Sequence, residues 1–320
     1  MVSCFKKIKK GEYKMKKLLA LFLAIGFIFI ASACNKTTNS SGTASTDVSY
    51  KVTDSRGKEV TFTKAPEKII SLLPSDTEII YALGMGDKVI AVDTYSNYPS
   101  EATKKKQLDS GGKMNIEAII GLKPDLVILG QMAQTVDQFK QLEDAGIKVV
   151  VTEAINIADT YKIIDMMGKT LNRGTKATEI INGMKSDFTA LKEQVKNNPP
   201  KKVYIEISPL QYKLWSCGKG TFQDELLTMI GATNIFSDIT SWKEVSEEQV
   251  LSRNPEIIIT TVGPMYGVDD PIKEIKDRAN WNKIDAVKNG KVFVTDSDAI
   301  QRPGPRLAIA AKDLVKLIYG

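Results

Sequence analysis

One helical segment, flanked by two stretches of similar length, most constrains the fold of this chain. In residues 159–196 apolar side chains recur every three or four positions up to Leu171 and again from Ile180, the spacing that lines one face of a helix. Pro199 and Pro200 end the pattern, because proline lacks the N–H that a helix interior needs. A helix of about 38 residues would span roughly 57 Å and join two lobes as a rigid strut. The alternative is two shorter helices with a break near Arg173 and Gly174.

Composition and charge exclude several functional classes. Residues 1–33 hold seven lysines and one glutamate, so the rest of the chain carries 37 basic and 37 acidic residues. Without a basic excess, nucleic-acid binding is not expected. Histidine is absent, which removes the usual general base and the usual zinc ligand. We therefore expect no metal site and no cofactor.

The amino terminus has the pattern of an export signal. Three lysines precede a 16-residue apolar run, residues 18–33, and small residues lead to Cys34. A membrane-spanning helix needs about 20 apolar residues, so we interpret residues 1–33 as a signal peptide, with a retained membrane anchor as the alternative. Translation could start at Met15 instead of Met1, because Met15 is also followed by two lysines.

Residues 31–34 resemble a bacterial lipobox, in which the cysteine is acylated and becomes the first residue of the mature protein. Ala31 stands where that motif usually has leucine. Residues 34–49 are rich in Ser, Thr and Asn, as expected of a flexible tether; a plain disordered terminus is the alternative. We expect an exported protein held by Cys34 on the outer face of the cytoplasmic membrane. Cys217 alone remains in the folded body, where we expect it to be buried without a disulfide partner.

Both flanks of the central helix predict α/β lobes, residues 50–158 and 199–320, with residues 159–198 between them. A β-hairpin is expected at residues 50–62. Short apolar runs then alternate with helical patterns, which is typical of a mainly parallel sheet covered on both faces. Ser75 and Asp76 are expected to cap the first helix of the first lobe.

Two segments of the first lobe recur in the second. IEAIIGLKPDLVIL aligns with EQVLSRNPEIIIT, which places Glu117 on Glu248. TEIIYALG aligns with DELLTMIG, which places Glu78 on Glu225. Two matched pairs in the same order indicate an internal duplication, although a shared α/β rhythm could imitate one of them.

Six segments in succession give the chain a recognisable family character. They are KIISLLPSDTEIIYALG, TYSNYP, MNIEAIIGLKPDLVI, WSCGKGT, NIFSDITSWKEVSEEQVLSRNPEIII and RPGPRLAIAA. In this order they resemble the substrate-binding proteins of ABC importers for vitamin B12 and ferric siderophores, particularly the vitamin B12-binding members. The similarity runs from residue 67 to residue 320. It implies two similar lobes joined by one long rigid helix, a ligand held in the cleft between them, and delivery to a dimeric permease.

The resemblance also implies a set of ligand-binding residues in the cleft: Tyr95, Trp215, Trp242, Asp298 and Arg302. Aromatic faces pack against a large planar ligand, and an arginine or aspartate fixes its polar edge. Taken singly, each aromatic could instead be a core residue.

Two further loop aromatics, Tyr98 and Tyr266, are weaker candidates, and Arg306 could either line the cleft or pair structurally. Two positions that hold tryptophan in the vitamin B12-binding member are Gly111 and Gly130 here, so part of the aromatic wall is missing.

The resemblance implies that Glu117 and Glu248 dock onto arginines of the permease. The internal repeat supports this, because two carboxylates at equivalent positions suit a partner built from two similar subunits. The alternative is that each only places negative charge at a helix N-terminus, worth about 0.3 to 1 kcal/mol.

We therefore predict a monomeric, lipid-anchored binding protein that captures a corrinoid for an ABC importer. A ferric siderophore is the alternative ligand, as is haem, which would have to coordinate through tyrosine because histidine is absent. An enzyme is not expected: the chain lacks G-x-S-x-G and G-x-G-x-x-G, and Gly220 stands where a P-loop needs Ser or Thr. A surface receptor for a protein partner is the third hypothesis.

Overall fold

A computed structural model describes residues 49–131 and 136–320 of the chain. These belong to one compact unit, residues 47–320. The predicted signal peptide, Cys34 and all but the last residue of the tether lie outside the described residues. No helix in the described ranges is both long enough and apolar enough to cross a membrane.

Thirteen strands and eleven α-helices are described. The strands are β1 Tyr50–Thr53, β2 Glu59–Phe62, β3 Ile69–Ser71, β4 Val89–Asp93, β5 Lys106–Leu108, β6 Leu126–Gly130, β7 Lys148–Thr152, β8 Lys202–Glu206, β9 Trp215–Cys217, β10 Thr233–Asn234, β11 Trp242–Glu244, β12 Ile257–Thr260 and β13 Val292–Val294. The helices are α1 Pro74–Ala82, α2 Ile116–Gly121, α3 Val136–Asp144, α4 Ile157–Thr170, α5 Gly174–Val195, α6 Phe222–Met229, α7 Glu247–Arg253, α8 Pro271–Asp277, α9 Asp285–Lys288, α10 Ser297–Gln301 and α11 Leu307–Tyr319.

The α/β prediction is confirmed, with one parallel sheet in each lobe. The first lobe has the strand order β5-β4-β3-β6-β7, and β1 and β2 form the predicted antiparallel hairpin beside it. The second lobe has the order β10-β8-β12-β13, again all parallel. Most residues of the central strands are fully buried, because helices cover both faces of each sheet.

The two sheets share their central strand order, as an internal duplication predicts. Strands β4, β3, β6 and β7 correspond to β10, β8, β12 and β13. The alignment that places Glu117 on Glu248 also superposes the first residues of α2 and α7 and of β6 and β12. The repeat is therefore present in the three-dimensional fold as well as in the amino-acid sequence.

The connection between the lobes is helical, as predicted, but it is not one continuous helix. α4 ends at Thr170 and α5 begins at Gly174, with Asn172 between them in the left-handed conformation at φ 54°. The Lys185 ammonium lies 5.2 Å from the centre of the Tyr161 ring, whereas 24 residues of straight helix would separate them by about 36 Å. The chain thus turns back, and the alternative of two shorter helices is correct.

A second correction concerns the start of α1. The helix begins at Pro74, and Leu73 occupies the N-cap position without a side-chain hydrogen bond. Ser75 and Asp76 therefore lie inside the first turn and do not cap it. Both are buried, and Asp76 accepts a hydrogen bond from the Thr152 hydroxyl at 2.7 Å.

Candidate ligand-binding site

The predicted ligand residues lie on loops that leave the carboxyl ends of the parallel strands. Tyr95 follows β4 in the first lobe, and Asp298 and Arg302 follow β13 in the second. In open α/β sheets this edge is where ligands bind, because the strand ends and helix N-termini converge there.

Arg302 brings three of the predicted residues together across the two lobes. Its guanidinium donates to the Asn97 side-chain oxygen at 2.8 Å and to the Tyr95 carbonyl at 3.2 Å, and it pairs with Asp298 at 2.7 Å. The Asn97 amide in turn donates to Asp298 at 2.8 Å. We call Tyr95, Asn97, Asp298 and Arg302 the interlobe bridge. The bridge holds the two sheet edges face to face.

A buried glutamate that the sequence analysis did not assign to the site supports this bridge. The carboxylate of Glu78, on α1, accepts hydrogen bonds from Arg306 at 2.6 and 2.8 Å and from Arg302 at 3.0 Å. The Arg306 guanidinium also stacks on the Tyr98 ring, 4.2 Å from its centre. Arg306 thus makes a structural pairing, one of the two roles left open for it, and Tyr98, a weaker candidate, packs against it.

The internal repeat was the available signal for Glu78. Its repeat partner Glu225 likewise makes a contact between lobes, accepting the backbone N–H of Ile157 at 2.8 Å. Matched glutamates at one repeat position therefore tie each lobe to the other.

The two candidate tryptophans have different surroundings. Trp215, on β9, is 38% exposed. Trp242, on the paired strand β11, is half-buried; its indole N–H donates to Gln223 at 3.2 Å and its ring packs on Phe222 with centres 5.6 Å apart. Trp215 can contact a ligand without rearrangement, whereas Trp242 is already engaged within the second lobe.

Further apolar and aromatic side chains follow β8 and β12 at the same edge of the second sheet. Tyr212 and Met265 are 61% and 72% exposed, and the Tyr212 ring lies 6.4 Å from that of Tyr266. The Gln211 amide donates to the Tyr266 carbonyl at 2.7 Å and links the two loops. Tyr266 was a weak candidate; Tyr212 and Met265 were missed, because the sequence gives no measure of the exposure of a single apolar side chain in a loop.

A small cavity opens beside Tyr95 on the first lobe. Its volume is about 170 Å³, and Gly111 and Gly130 form part of its wall. Both glycines thus border the same space, next to Asp93 at the end of β4.

Two carboxyl groups beneath this edge are buried. Burial raises the pKa of Asp93, although hydrogen bonds from the Ser96 hydroxyl and the Tyr95 N–H act in the opposite direction. Burial raises the pKa of Asp76 to about 7; the Thr152 hydrogen bond opposes the shift and the charge of Asp93 adds to it.

Glu117 and Glu248 are exposed and occupy the same position of their helices, the second residue of α2 and of α7. Each helix begins at a side-chain cap, Asn115 in one lobe and Ser246 in the other. The neighbouring Glu247 is already hydrogen-bonded within its own lobe, since its carboxylate accepts the indole N–H of Trp281 at 2.7 Å.

No group of three or more Cys, Asp or Glu side chains in the described part of the chain is placed to hold a metal ion. Cys217 is fully buried, as predicted, and burial raises the pKa of its thiol to about 12.

Comparison with known proteins places this geometry in context. The family described as periplasmic binding protein matches residues 69–299. An uncharacterized ABC transporter substrate-binding lipoprotein of Bacillus subtilis, YvrC, is 38% identical over 84% of this chain and 85% of its own length. A vitamin B12-binding protein of Salmonella paratyphi A is 32% identical over 78% of this chain and 89% of its own.

Among solved structures, a possible iron-binding, periplasmic solute-binding protein of Staphylococcus epidermidis superposes with a TM-score of 0.70. It is 36% identical, and the match covers 80% of this chain and all of that one.

Proposed function

The chain belongs to the periplasmic binding protein family of ABC importers, and from this premise we propose that it captures a corrinoid and delivers it to a permease. The relatives named above are substrate-binding proteins, and the proposal includes no catalytic step. One observation carries it: the carboxyl edges of the two sheets face each other across Arg302, and the segments that follow the strands at these edges carry exposed aromatic side chains.

The arrangement suits a large, partly planar ligand. Tyr95 in the first lobe and Trp215 and Tyr212 in the second present exposed rings, and aromatic faces pack well against extended ring systems. Asp298 and Arg302 would supply opposite charges for the polar edge of such a ligand by exchanging their contacts in the interlobe bridge for contacts with it. The vitamin B12-binding relative from Salmonella paratyphi A supports a corrinoid as the ligand class.

A ferric siderophore or haem is the second candidate. The glycines at positions 111 and 130 leave space beside the cleft, and the Staphylococcus epidermidis relative is described as a possible iron-binding protein. With no histidine in the chain, the phenols of Tyr95, Tyr212 or Tyr266 would be the groups available to coordinate a haem iron.

For its place in the cell, we propose export by the signal peptide and anchoring through lipidated Cys34 on the outer face of the cytoplasmic membrane. The name of the Bacillus subtilis relative, a lipoprotein, supports this. In the proposed cycle a monomer gives its ligand to a permease dimer, which it contacts through Glu117 and Glu248.

The proposal is tested by titrating residues 47–320 with cyanocobalamin, dicyanocobinamide, haem and a panel of ferric siderophores. Tryptophan fluorescence, corrected for ligand absorbance, gives the readout, and calorimetry gives the affinity. Saturable binding of a corrinoid with one-to-one stoichiometry is expected. Saturation by an iron ligand alone would replace the corrinoid by the second candidate, and no binding by any of them would favour a receptor for a protein partner.

A further inference from the structure

The cavity beside Tyr95 has the character of a side pocket that opens off the cleft. Half of the residues in its wall have apolar, non-aromatic side chains: Leu72, Leu73, Pro74, Met114 and Leu129. Tyr95 also lines it, and the carbonyl of that residue accepts a hydrogen bond from Arg302 of the other lobe. The pocket therefore adjoins the boundary between the lobes, where the proposed ligand is held.

Gly111 and Gly130 line this pocket, and the absence of a side chain at Gly130 keeps it open. A Cβ added at Gly130 would lie 3.0 Å from a Leu73 methyl, so any side chain there would push Leu73 aside or occupy the cavity. Gly111 has φ +64°, a conformation in which other residues are strained. The space thus depends on the missing side chain at position 130, where a larger residue would close it.

The pocket offers a ligand mainly apolar surface and few charged groups that are not already hydrogen-bonded. The acidic side chain in the wall is that of Asp93. Its carboxylate already accepts hydrogen bonds from the Tyr95 N–H and the Ser96 hydroxyl. An apolar cavity of roughly 150 Å³ holds one benzene molecule. At about 170 Å³ this pocket has room for one aromatic ring and its substituents.

We propose that this pocket binds a neutral, apolar, ring-sized appendage of a ligand whose main body lies between the lobes. The inference rests on the proposed function and sharpens it. Among corrinoids, cobalamins carry a benzimidazole base at the end of their nucleotide loop, and cobinamides lack it. The pocket therefore selects corrinoids that carry such a base over those that do not.

The test compares two variants that fill the pocket from different walls, Gly130→Leu and Leu73→Trp, in the compact unit 47–320 that contains all described contacts. Gly183→Leu is the matched control, because Gly183 is exposed on α5 and a Cβ there meets no atom within 4 Å. Calorimetry with cyanocobalamin and dicyanocobinamide measures the selectivity. The wild type should prefer cyanocobalamin, and both filled variants should lose about tenfold or more of that affinity while retaining dicyanocobinamide within about twofold.

Two outcomes overturn the inference: equal losses for both corrinoids, or undiminished cyanocobalamin binding in a filled variant that melts cooperatively. A second measurement separates it from the proposed function. Free 5,6-dimethylbenzimidazole, followed by saturation-transfer NMR, should bind the wild type and Gly183→Leu but neither filled variant. If the base binds in this pattern while no corrinoid binds, the pocket stands and the corrinoid function fails; if the base binds all variants alike, the pocket assignment fails.

Discussion

The carboxylate of Glu78, in the first lobe, accepts two hydrogen bonds from the guanidinium of Arg306, in the second, at 2.6 and 2.8 Å. The Glu78 side chain is 2% exposed and that of Arg306 is 11% exposed. A charge pair that is withdrawn from water in this way depends on both partners, because either charge left alone in the interior is strongly unfavourable.

We expect Glu78→Gln to lower the free energy of unfolding by about 3 to 5 kcal/mol, since it leaves Arg302 and Arg306 without their shared carboxylate. Urea unfolding of residues 47–320 measures this. Glu59→Gln is the control, because Glu59 pairs with Lys51 at the surface, where both side chains are more than half exposed, and should cost below about 1 kcal/mol. Similar losses in the two variants would contradict the assigned role of Glu78.

Sequence predicted the sheets and the hairpin well because their signals are local. Apolar runs, glycines and prolines mark strands and turns within a few residues, and the repeat aligned the first residues of α2 and α7. The turn between α4 and α5 was left open, because the apolar spacing stops at Leu171 and resumes at Ile180, which either a break or a polar stretch of one helix can produce. Asn172 and Gly174, two residues that often follow helix ends, were the local signs of a break.

The residues of the candidate site could be predicted only in part, because the contacts between them are not local in sequence. Resemblance named Asp298 and Arg302, which the structure brings together in the interlobe bridge, because it carries three-dimensional information about positions far apart in sequence. The contact of Glu78 with Arg302 joins residues 224 positions apart, and no local pattern reports such a pair. The exposure of Tyr212 and the packing of the Trp242 ring on Phe222 likewise depend on tertiary contacts, which the spacing of apolar residues in the sequence does not show.

Asp76 should make stability fall as the pH rises from about 4 to about 7. Its folded-state pKa of about 7 lies above the ordinary value near 3.8, so the folded state holds a proton that the unfolded state has lost across this window. The change amounts to roughly 4 kcal/mol at most, since one pKa unit is about 1.4 kcal/mol.

Asp76→Asn should remove much of this slope, because an amide oxygen still accepts the Thr152 hydroxyl and cannot ionise. Urea unfolding at pH 4.5, 6 and 7.5 measures it, and the exposed Asp109→Asn serves as control. Asp93, whose pKa burial also raises, should leave a residual slope in the same direction. An unchanged slope in Asp76→Asn would show that Asp76 ionises normally in the folded protein.

Ligand-induced quenching of fluorescence should come mainly from Trp215. It is 38% exposed, whereas Trp242 is held by Gln223 and Phe222 and Trp281 is fully buried. Trp215→Phe should therefore lose most of the amplitude, Trp242→Phe a smaller part, and Trp281→Phe very little. Titration of the three variants with the ligand that the wild type binds provides the measurement. Loss of the amplitude in Trp281→Phe alone would place the ligand away from the proposed cleft.

Glu117 and Glu248 should affect transport without affecting ligand capture. Because both are exposed at the same position of repeated helices, we expect Glu117→Gln with Glu248→Gln to weaken binding to the cognate permease in nanodiscs by about tenfold or more. Ligand affinity should stay within about twofold of the wild type. Glu179→Gln, exposed on α5, is the control. If the double variant changes only the melting temperature, the two carboxylates act on their own helices alone.

Because α4 and α5 approach closely, we expect substitutions of Gly168 and Gly183 to change the free energy of unfolding in opposite directions. A Cβ added at Gly168 would lie 2.4 Å from the Ala177 Cβ, closer than two carbon atoms tolerate, so the turned-back pair requires glycine there. Gly168→Ala should cost about 1 to 3 kcal/mol by overpacking. Gly183→Ala is the matched control: a Cβ meets nothing at that exposed position of α5, and the better helix propensity of alanine should add up to about 1 kcal/mol of stability. Opposite signs in urea unfolding would support two packed helices, whereas stabilisation by both substitutions would favour the single straight helix that the sequence first suggests.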